Sequence, residues 1–334
     1  MIHHHATAGA ASDLQLPVEL IGTGPLIRRA AEVVRRAAGN EDTVLIVAEA
    51  GFNPERIARA IHYAGVHASR PFISIDCGDT PAAVVQRLFG AERKSRSQYE
   101  TVTADSALAE AGEGTIFLAD VSEMPATAQL RLSRLLRDGE MRVRRSTAQV
   151  RFRLMASAAP GLGAEVHQHR FRPELYRRLQ RLRVDVPPLR DRSSDLPALI
   201  DAVLADISAS RNLACTLTPA ARTALAALRW AGNIDELRDA LGRLLDRCDG
   251  SVIRQEDVLA DLQHTHARPR RVHATLESLR EARQTFEREY ISRVLEEYGW
   301  RMTEAARVLG IERANLYRKT RQLGITRLKP SRAS

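Results

Sequence analysis

Long apolar runs are missing from this 334-residue chain: 44% of its residues are hydrophobic, yet no stretch of 18 consecutive apolar residues occurs, which excludes a membrane-spanning helix. The opening Met1-Ile2-His3-His4-His5 has no apolar core followed by a small-residue cleavage site, so secretion is not expected and the cytoplasm is the default. Cysteine is nearly missing as well. Cys77, Cys215 and Cys248 are odd in number and widely spaced, which excludes a disulfide framework and a zinc site and leaves buried thiols as the expectation. His3 to His5 lie in a tail that fixes no coordination geometry, and an expression tag accounts for them equally well. Lysine is so scarce that Lys94 is the only one before residue 275.

Aspartate is absent from residues 268 to 334, which hold 16 Lys+Arg against 8 Glu, a net of +8 out of the chain's +9; the other 267 residues are nearly neutral. A basic run by itself is a solvated helix face. Here it coincides with two short helical patterns around a Leu309-Gly310-Ile311 turn. The first contains Ala305 and Ala306, small enough for close helix packing, and the second offers Leu316 and Leu323 as an inner face. The outer face is then Arg313, Asn315, Arg318, Lys319 and Arg321, residue types that meet base edges and phosphates of double-stranded DNA. Upstream, Leu279, Phe286, Tyr290, Val294 and Leu295 recur at helical spacing between Thr275 and Tyr298, as a packed helix face requires.

From Glu19 to Asp191 short β-branched runs alternate with helical patterns, which predicts an α/β fold with a parallel sheet and crossover helices. The expected strands are Thr43 to Ala48, Phe72 to Asp76, Thr115 to Asp120, Val150 to Ala158 and Leu182 to Val186; Pro54 to Gly65 and Pro125 to Asp138 read as helices opened by proline. Residues 192 to 262 read as wholly helical, with Thr218-Pro219 and Gly232-Asn233 opening two helices. Residues 263 to 274, with Pro269 among arginines, read as a linker to a domain at 275–327, and residues 1–18 and 328–334 as tails.

Several phrases in this order carry a family resemblance: Ile21-Gly22, Ala58-Arg59-Ala60-Ile61-His62, Pro71-Phe72, Leu88-Phe89-Gly90, Gly114-Thr115-Ile116-Phe117-Leu118, Met124-Pro125, Phe171-Arg172, Pro187-Pro188-Leu189-Arg190 and Trp230-Ala231-Gly232-Asn233. They resemble the AAA+ ATPase module of NtrC-type activators, which remodel RNA polymerase carrying sigma-54. The stretch from Leu276 to Ile325 is similar to the Fis-type helix-turn-helix that closes many bacterial activators. The resemblance implies an AAA+ parallel-sheet, P-loop-like domain with a helical lid, then an all-α Fis-type helix-turn-helix domain. It further implies a dimer with half-sites about one helical turn of DNA apart. Arg313 would meet a base edge, Asn315, Arg318 and Lys319 the DNA backbone, and Thr303 a phosphate at a helix start. No receiver or sensor domain precedes the match, so no input module is expected.

The positions to which the family assigns chemistry differ here. A phosphate loop has the pattern G-x-x-x-x-G-K-[ST], or the family's variant ending in Glu, because glycines let backbone N–H groups approach phosphate and lysine reaches its outer oxygens. The matching residues are Ala48-Glu49-Ala50-Gly51-Phe52-Asn53-Pro54-Glu55: Ala48 and Asn53 replace the end glycines, and Pro54 replaces the lysine while removing a backbone donor. Where the family carries Asp-Glu to orient magnesium and the attacking water, this chain has Ala119-Asp120. Asp76 stands at a usual asparagine, Ala158-Ala159 at a Thr-Asn pair, and Asp235 at a lid arginine. Arg172 and Arg178 match the arginines offered to a neighbouring subunit's nucleotide and read here as relics, paired with Glu174 or with an interface acid. The sigma-contacting hexapeptide gives way to Ala91 through Glu100, which lacks glycine and reads as a polar solvated loop whose Arg93, Lys94 and Arg96 are open to nucleic acid or protein.

The expectation is a sequence-specific DNA-binding transcription regulator with a catalytically degenerate AAA+ domain, a pseudo-ATPase serving as an oligomerisation or partner platform. No cofactor and no metal are expected. Expected partners are double-stranded DNA, a second copy of the chain in a dimer or larger oligomer, and RNA polymerase or an intact AAA+ paralogue, but no membrane; the place is the bacterial cytoplasm, at the nucleoid. One alternative is a divergent ATP-dependent sigma-54 activator, binding ATP and Mg with Arg59 or Lys94 supplying the missing charge. Another is an architectural DNA-bending protein, which would show weak sequence preference. If Arg313 reads a base, Arg313→Ala relaxes specificity at one operator position by about 1–3 kcal/mol, whereas Lys319→Ala weakens all sequences alike and lowers the salt slope by about one; identical behaviour of the two would refute that division.

Overall fold

The computed structural model describes residues 16–91, 99–143, 146–247 and 252–267, and in the C-terminal part 291, 294–295, 298, 300, 302–309, 316 and 319–320. Two compact units divide the chain, residues 1–267 and 268–334.

The first unit runs α1 (Pro25–Ala38), β1 (Val44–Val47), α2 (Pro54–Tyr63), β2 (Phe72–Asp76), α3 (Pro81–Phe89), β3 (Glu100–Val102), α4 (Ala107–Ala111), β4 (Thr115–Ala119), α5 (Ala126–Asp138), β5 (Glu140–Val143), β6 (Ser146–Gln149), β7 (Arg153–Ala158), α6 (Leu162–His167), α7 (Pro173–Leu179) and β8 (Leu182–Asp185). Five of these strands form an all-parallel sheet in the order β2-β4-β7-β1-β8. Such a sheet is covered on both faces, and β1 shows it: Val44 and Ile46 enter one core with α1 and α2, Leu45 and Val47 the other with α3 to α5. The expected strand at Val150 to Ala158 begins only at Arg153. The residues just before it, Ser146–Gln149, pair antiparallel with β5, and β5 pairs with β3, giving a separate three-stranded sheet. The polar loop expected from Ala91 to Glu100 is likewise shortened at its end, because Glu100 opens β3 and holds Arg131; residues 92–98 lie outside the described residues.

The lid follows as α8 (Leu196–Arg211), β9 (Thr216–Leu217), α9 (Pro219–Ala226), α10 (Asn233–Arg247), β10 (Val252–Ile253) and α11 (Gln255–Ala267). It is not wholly helical: β9 and β10 pair in parallel, and the Thr218 hydroxyl then caps α9 at Ala221 N. The reading of a linker from residue 263 is corrected too, since α11 continues to Ala267; residues 268–274 lie outside the described residues. Lid residues Leu199, Leu225 and Leu237 share one hydrophobic cluster with Val44, Ile46 and Ile57, so lid and sheet fold on a common core. No helix among the described residues is long and apolar enough to cross a membrane. Cys77 is buried as expected, whereas Cys215 is only half-buried before β9; Cys248 is outside the described residues.

Buried polar groups tie this unit together. Arg153, 3% exposed, reaches from β7 to the carbonyls of Ala37 (2.6 Å) and Asp42 (3.3 Å), and burial pushes its guanidinium down to about 10. Asp195 accepts from the backbone N–H of Thr23 (2.8 Å) and Gly24 (3.0 Å), fixing the entry to α1. Arg192 donates to the Glu19 carbonyl at 2.9 Å.

In the second unit, Ile291, Val294, Leu295, Ala305, Ala306 and Leu316 form a small core, with Tyr298, Trp300, Met302 and Leu309 against it. The alanines of α12 (Met302–Val308) sit in that core. Leu279, Phe286, Tyr290 and Leu323 lie outside the described residues.

His62 carries a pH signature. On α2 it is 1% exposed, its Nδ1 lies 2.9 Å from Thr115 Oγ1, and burial holds its imidazole below the ordinary histidine range. The unfolded chain takes up this proton near pH 6.5 and the folded chain does not, so the contribution is complete above about pH 6.5 and is lost as pH falls toward the depressed folded value. Chemical denaturation across pH 7 to 5 should show a destabilising slope of up to about 1.4 kcal/mol per pH unit that His62→Gln removes; an unchanged slope in the variant would reject His62 as its source.

Candidate functional site

In parallel α/β sheets, ligands sit at the carboxyl ends of the strands. Here that edge is formed by the segment from Ala48 to Asn53, between β1 and α2. Asn53 and Pro54 build the start of α2 together: proline presets the backbone of the first turn, and the Asn53 carboxamide accepts from Arg56 N at 3.3 Å. Phe52 turns inward, 8% exposed, with the Arg192 guanidinium 5.6 Å from its ring centroid.

The loop carbonyls are engaged by the lid. Asn233 Nδ2 donates to Ala50 O at 2.8 Å, and Asp235 N donates to Gly51 O at 3.0 Å. The same Asn233 side chain accepts from Leu189 N at 3.0 Å, so one amide joins the loop, the lid and the turn after β8. Gly51 has φ +87°, and a Cβ there would lie 2.0 Å from Gly232 O, so both backbone conformation and close approach require glycine. Asn233 itself has φ 52°, a region asparagine enters more readily than most residues.

The cations near the loop are committed. Arg59 pairs with Glu55 at 2.6 Å and lies 4.4 Å from the Phe72 ring centroid, while the other Glu55 oxygen accepts from Ser74 Oγ at 2.8 Å. Arg190 grips Glu49 through both nitrogens, at 2.6 and 2.7 Å, and holds that carboxyl below the usual range. The remaining groups at this edge are acidic. Ala119 ends β4, and Asp120 follows in the left-handed region (φ 46°) with its backbone N–H given to Ser157 Oγ. Burial, and then the charge of Asp76 at the end of the neighbouring strand, raise the Asp120 carboxyl, and burial raises Asp235. The buried Cys77 thiol between these groups is pushed up to about 12 by burial, then by Asp76 and Asp120. Ala158 closes β7, its carbonyl accepting from Ala48 N.

Arg172 precedes α7 and Arg178 lies in its last turn. Arg172 N donates to Gln129 Oε1 at 2.9 Å, and the Arg178 carbonyl accepts the Thr43 hydroxyl. Neither guanidinium forms an ion pair among the described residues, so the pairing with Glu174 is not made. In the second unit Thr303 is exposed at the start of α12, and Lys319 is partly exposed while Leu316 and Thr320 turn into the interior. Arg313, Asn315, Arg318 and Arg321 lie outside the described residues, as do Arg93, Lys94 and Arg96. Sequence reasoning missed the bridging role of Asn233, the commitment of Arg59 and Arg190, and Trp300 in the small core. The first had a visible signal in the Gly232-Asn233 turn and the Arg59 pairing one in Glu55 four residues before it, whereas Arg190 depends on Glu49, distant in sequence.

A parallel-sheet nucleotide-edge domain, a helical lid and a compact helical C-terminal unit define the class, and the relatives define the family. Three family profiles match in series: a sigma-54 interaction domain at residues 20–185, an AAA+ ATPase lid domain at 190–275, and a bacterial regulatory protein domain of the Fis family at 282–323. The chain belongs to the NtrC-type family of sigma-54-dependent transcriptional regulators. Its sequence is 33% identical to a Nif-specific regulatory protein of Azotobacter vinelandii, over 87% of this chain and 56% of that one. It is 30% identical to the response regulator PilR of Pseudomonas aeruginosa, over 93% of this chain and 71% of that one. The chain thus spans little more than half the length of the first relative. Among solved structures, NtrX of Brucella abortus in complex with ADP superposes with a TM-score of 0.61 at 28% identity, covering 93% of this chain and 70% of that one. The same protein has been solved with ATP, with a TM-score of 0.60. RuvB of Thermotoga maritima, at 14% identity and a TM-score of 0.52, shares the fold.

Removing the bridging amide tests the clamp between loop and lid. Asn233→Ala leaves Leu189 N and Ala50 O without partners and should cost about 2–4 kcal/mol in denaturant unfolding. Asn233→Gly, which frees the backbone without restoring the amide, should recover only the conformational part, about 1 kcal/mol. An Ala variant as stable as the parent would show that the bridge holds nothing.

Proposed function

We propose that this chain is a DNA-binding transcription regulator whose ATPase-like domain serves as a folded platform for self-assembly and partner docking and does not turn over nucleotide. The observation that carries this reading is the segment between β1 and α2. A triphosphate there needs free N–H donors at a helix start and a cation. Pro54 offers no N–H, the Asn53 carboxamide already takes one at the helix end, and Arg59 and Arg190 are neutralised by Glu55 and Glu49. Asp76, Asp120 and Asp235 place acidic side chains where phosphate would come, and burial, which penalises charge there, raises the Asp120 and Asp235 carboxyls. The residues present do not fit ATP with magnesium, and no step is assigned to it.

In this reading the C-terminal domain binds double-stranded DNA, with Thr303, Arg313, Asn315, Arg318, Lys319 and Arg321 at the interface. Dimerisation runs through the apolar helix face between residues 275 and 298, and the unpaired Arg172 and Arg178 are offered to a neighbouring copy or to an intact paralogue. RNA polymerase is the further partner, and the site of action is the nucleoid in the cytoplasm.

A second reading keeps ATP. It is favoured by the likeness to Brucella abortus NtrX, a protein solved with both ADP and ATP. In it this chain is a divergent ATP-dependent activator, and Arg59 would have to leave Glu55 and Phe72 to reach phosphate. Calorimetry with magnesium and ATP, and phosphate release with an intact family member alongside, separate the two. Absence of binding heat at millimolar ATP is expected. Saturable binding with turnover would overturn the platform reading and restore the activator.

A further inference from the structure

Residues 1 to 267 are nearly neutral overall, and arginine after arginine in that unit meets a carboxylate: Arg56 and Arg238 share Asp206, Arg243 and Arg247 share Asp261, and Arg59, Arg87, Arg131 and Arg190 each hold a glutamate. Other arginines, such as Arg134, Arg142, Arg177 and Arg229, form no ion pair among the described residues, but α1 gathers four exposed ones on one helix. Arg28, Arg29, Arg35 and Arg36 are all exposed, none forms an ion pair among the described residues, and the only acid on the helix is Glu32.

Helical geometry gathers them. At 3.6 residues per turn Arg28 and Arg35 fall in one row and Arg29 and Arg36 in the next, so two pairs of guanidiniums stand about 10 Å apart along one face. Ile27, Ala30, Ala31, Val34, Ala37 and Ala38 occupy the opposite face and are buried, which fixes the arginine rows outward. Helix stability does not account for this placement. Arg35 and Arg36 in the last turn suit the macrodipole, but Arg28 and Arg29 lie toward its positive end, in a helix with no acid in its first turn. The rows therefore bring four like charges together around a single acid, Glu32.

Guanidiniums spaced along a rigid rod suit the regular phosphates of duplex DNA, which carries one charge per about 1.7 Å of axis. We infer that the outer face of α1 is a second, sequence-independent DNA contact, made to duplex flanking the site held by the C-terminal domain. This rests on the reading of that domain as a DNA binder. Because both contacts sit on one polypeptide, the second is intramolecular once the first is made, and a modest phosphate contact then adds substantially to the affinity.

The test uses the full chain and fluorescence anisotropy on a long random-sequence duplex over a salt series. Combined Arg28→Gln, Arg29→Gln, Arg35→Gln and Arg36→Gln should leave the thermal midpoint in place, because arginine and glutamine have similar helix propensities. It should make the slope of log affinity against log salt shallower by up to about 3.6, at about 0.9 for each phosphate no longer neutralised. The same four positions changed to Lys should restore the slope. Arg28→Gln with Arg29→Gln alone should give about half the effect and serves if the fourfold variant folds poorly. On a short duplex spanning little more than one half-site the fourfold variant should match the parent. An unchanged slope on the long duplex overturns the inference, as does loss of binding to an acidic protein with DNA binding intact. Lys319→Ala combined with Arg318→Ala separates this from failure of the C-terminal reading: if that pair alone moves affinity, the α1 contact is wrong, and if only the α1 set moves it, the C-terminal reader is wrong.

Discussion

One carboxamide governs the arrangement of the first unit. Asn233 opens α10 in a left-handed backbone conformation and from there satisfies the N–H of Leu189 and the carbonyl of Ala50 together. An amide that is nearly fully buried must spend both its donor and its acceptor, and here each is spent on a different segment. The loop after β1, the turn after β8 and the lid are thereby referred to a single point. Gly51 is drawn against Gly232 closely enough that no side chain fits between them.

The rest of the unit is organised around this junction. Because β1 lies inside a parallel sheet buried on both faces, its carboxyl end cannot shift without disturbing two cores, and the loop inherits that rigidity. Arg192 and Asp195 extend the same logic, tying residues 19 to 24 to the beginning of the lid through buried hydrogen bonds. The common hydrophobic cluster of lid and sheet makes the junction a packed interior. Around it, charge is neutralised locally: Glu49 by Arg190, Glu55 by Arg59, Asp206 by Arg56 and Arg238. A loop whose helix start lacks one N–H, has another capped, and whose nearby cations are already paired has little left with which to hold an anion. That is the physical content of the proposal that the domain acts through its surface.

Against this internally matched unit, the unmatched groups stand out. Among the described residues they include the exposed arginine rows of α1 and the guanidiniums of Arg172 and Arg178, none of which forms an ion pair. All are positive, and under the proposed function they would face polyanions and other copies of the chain.

The sequence by itself determined the alternation of strands and helices, because a strand buried on both faces must be a short β-branched run, and Val44 to Val47 and Thr115 to Ala119 are such runs. It determined the proline-opened helices, since Pro54 can stand only in a first turn. It also determined the alanine-lined packing of α12, because only small side chains permit that approach. Family membership was legible for the same reason, as motif order survives where the fold needs it. Tertiary structure alone decided the edge of the small sheet, where Ser146–Gln149 carries no period to betray it, and the two-residue pairing of β9 with β10, too short to leave a pattern. It alone decided what the arginines do. Arg190 meets Glu49 only because the fold brings them together, and that separates a neutralised cation from an open one such as Arg28. Local propensity is written in neighbouring residues, whereas charge matching can depend on partners brought together across as many as 150 positions of chain, as Arg56 and Asp206 are.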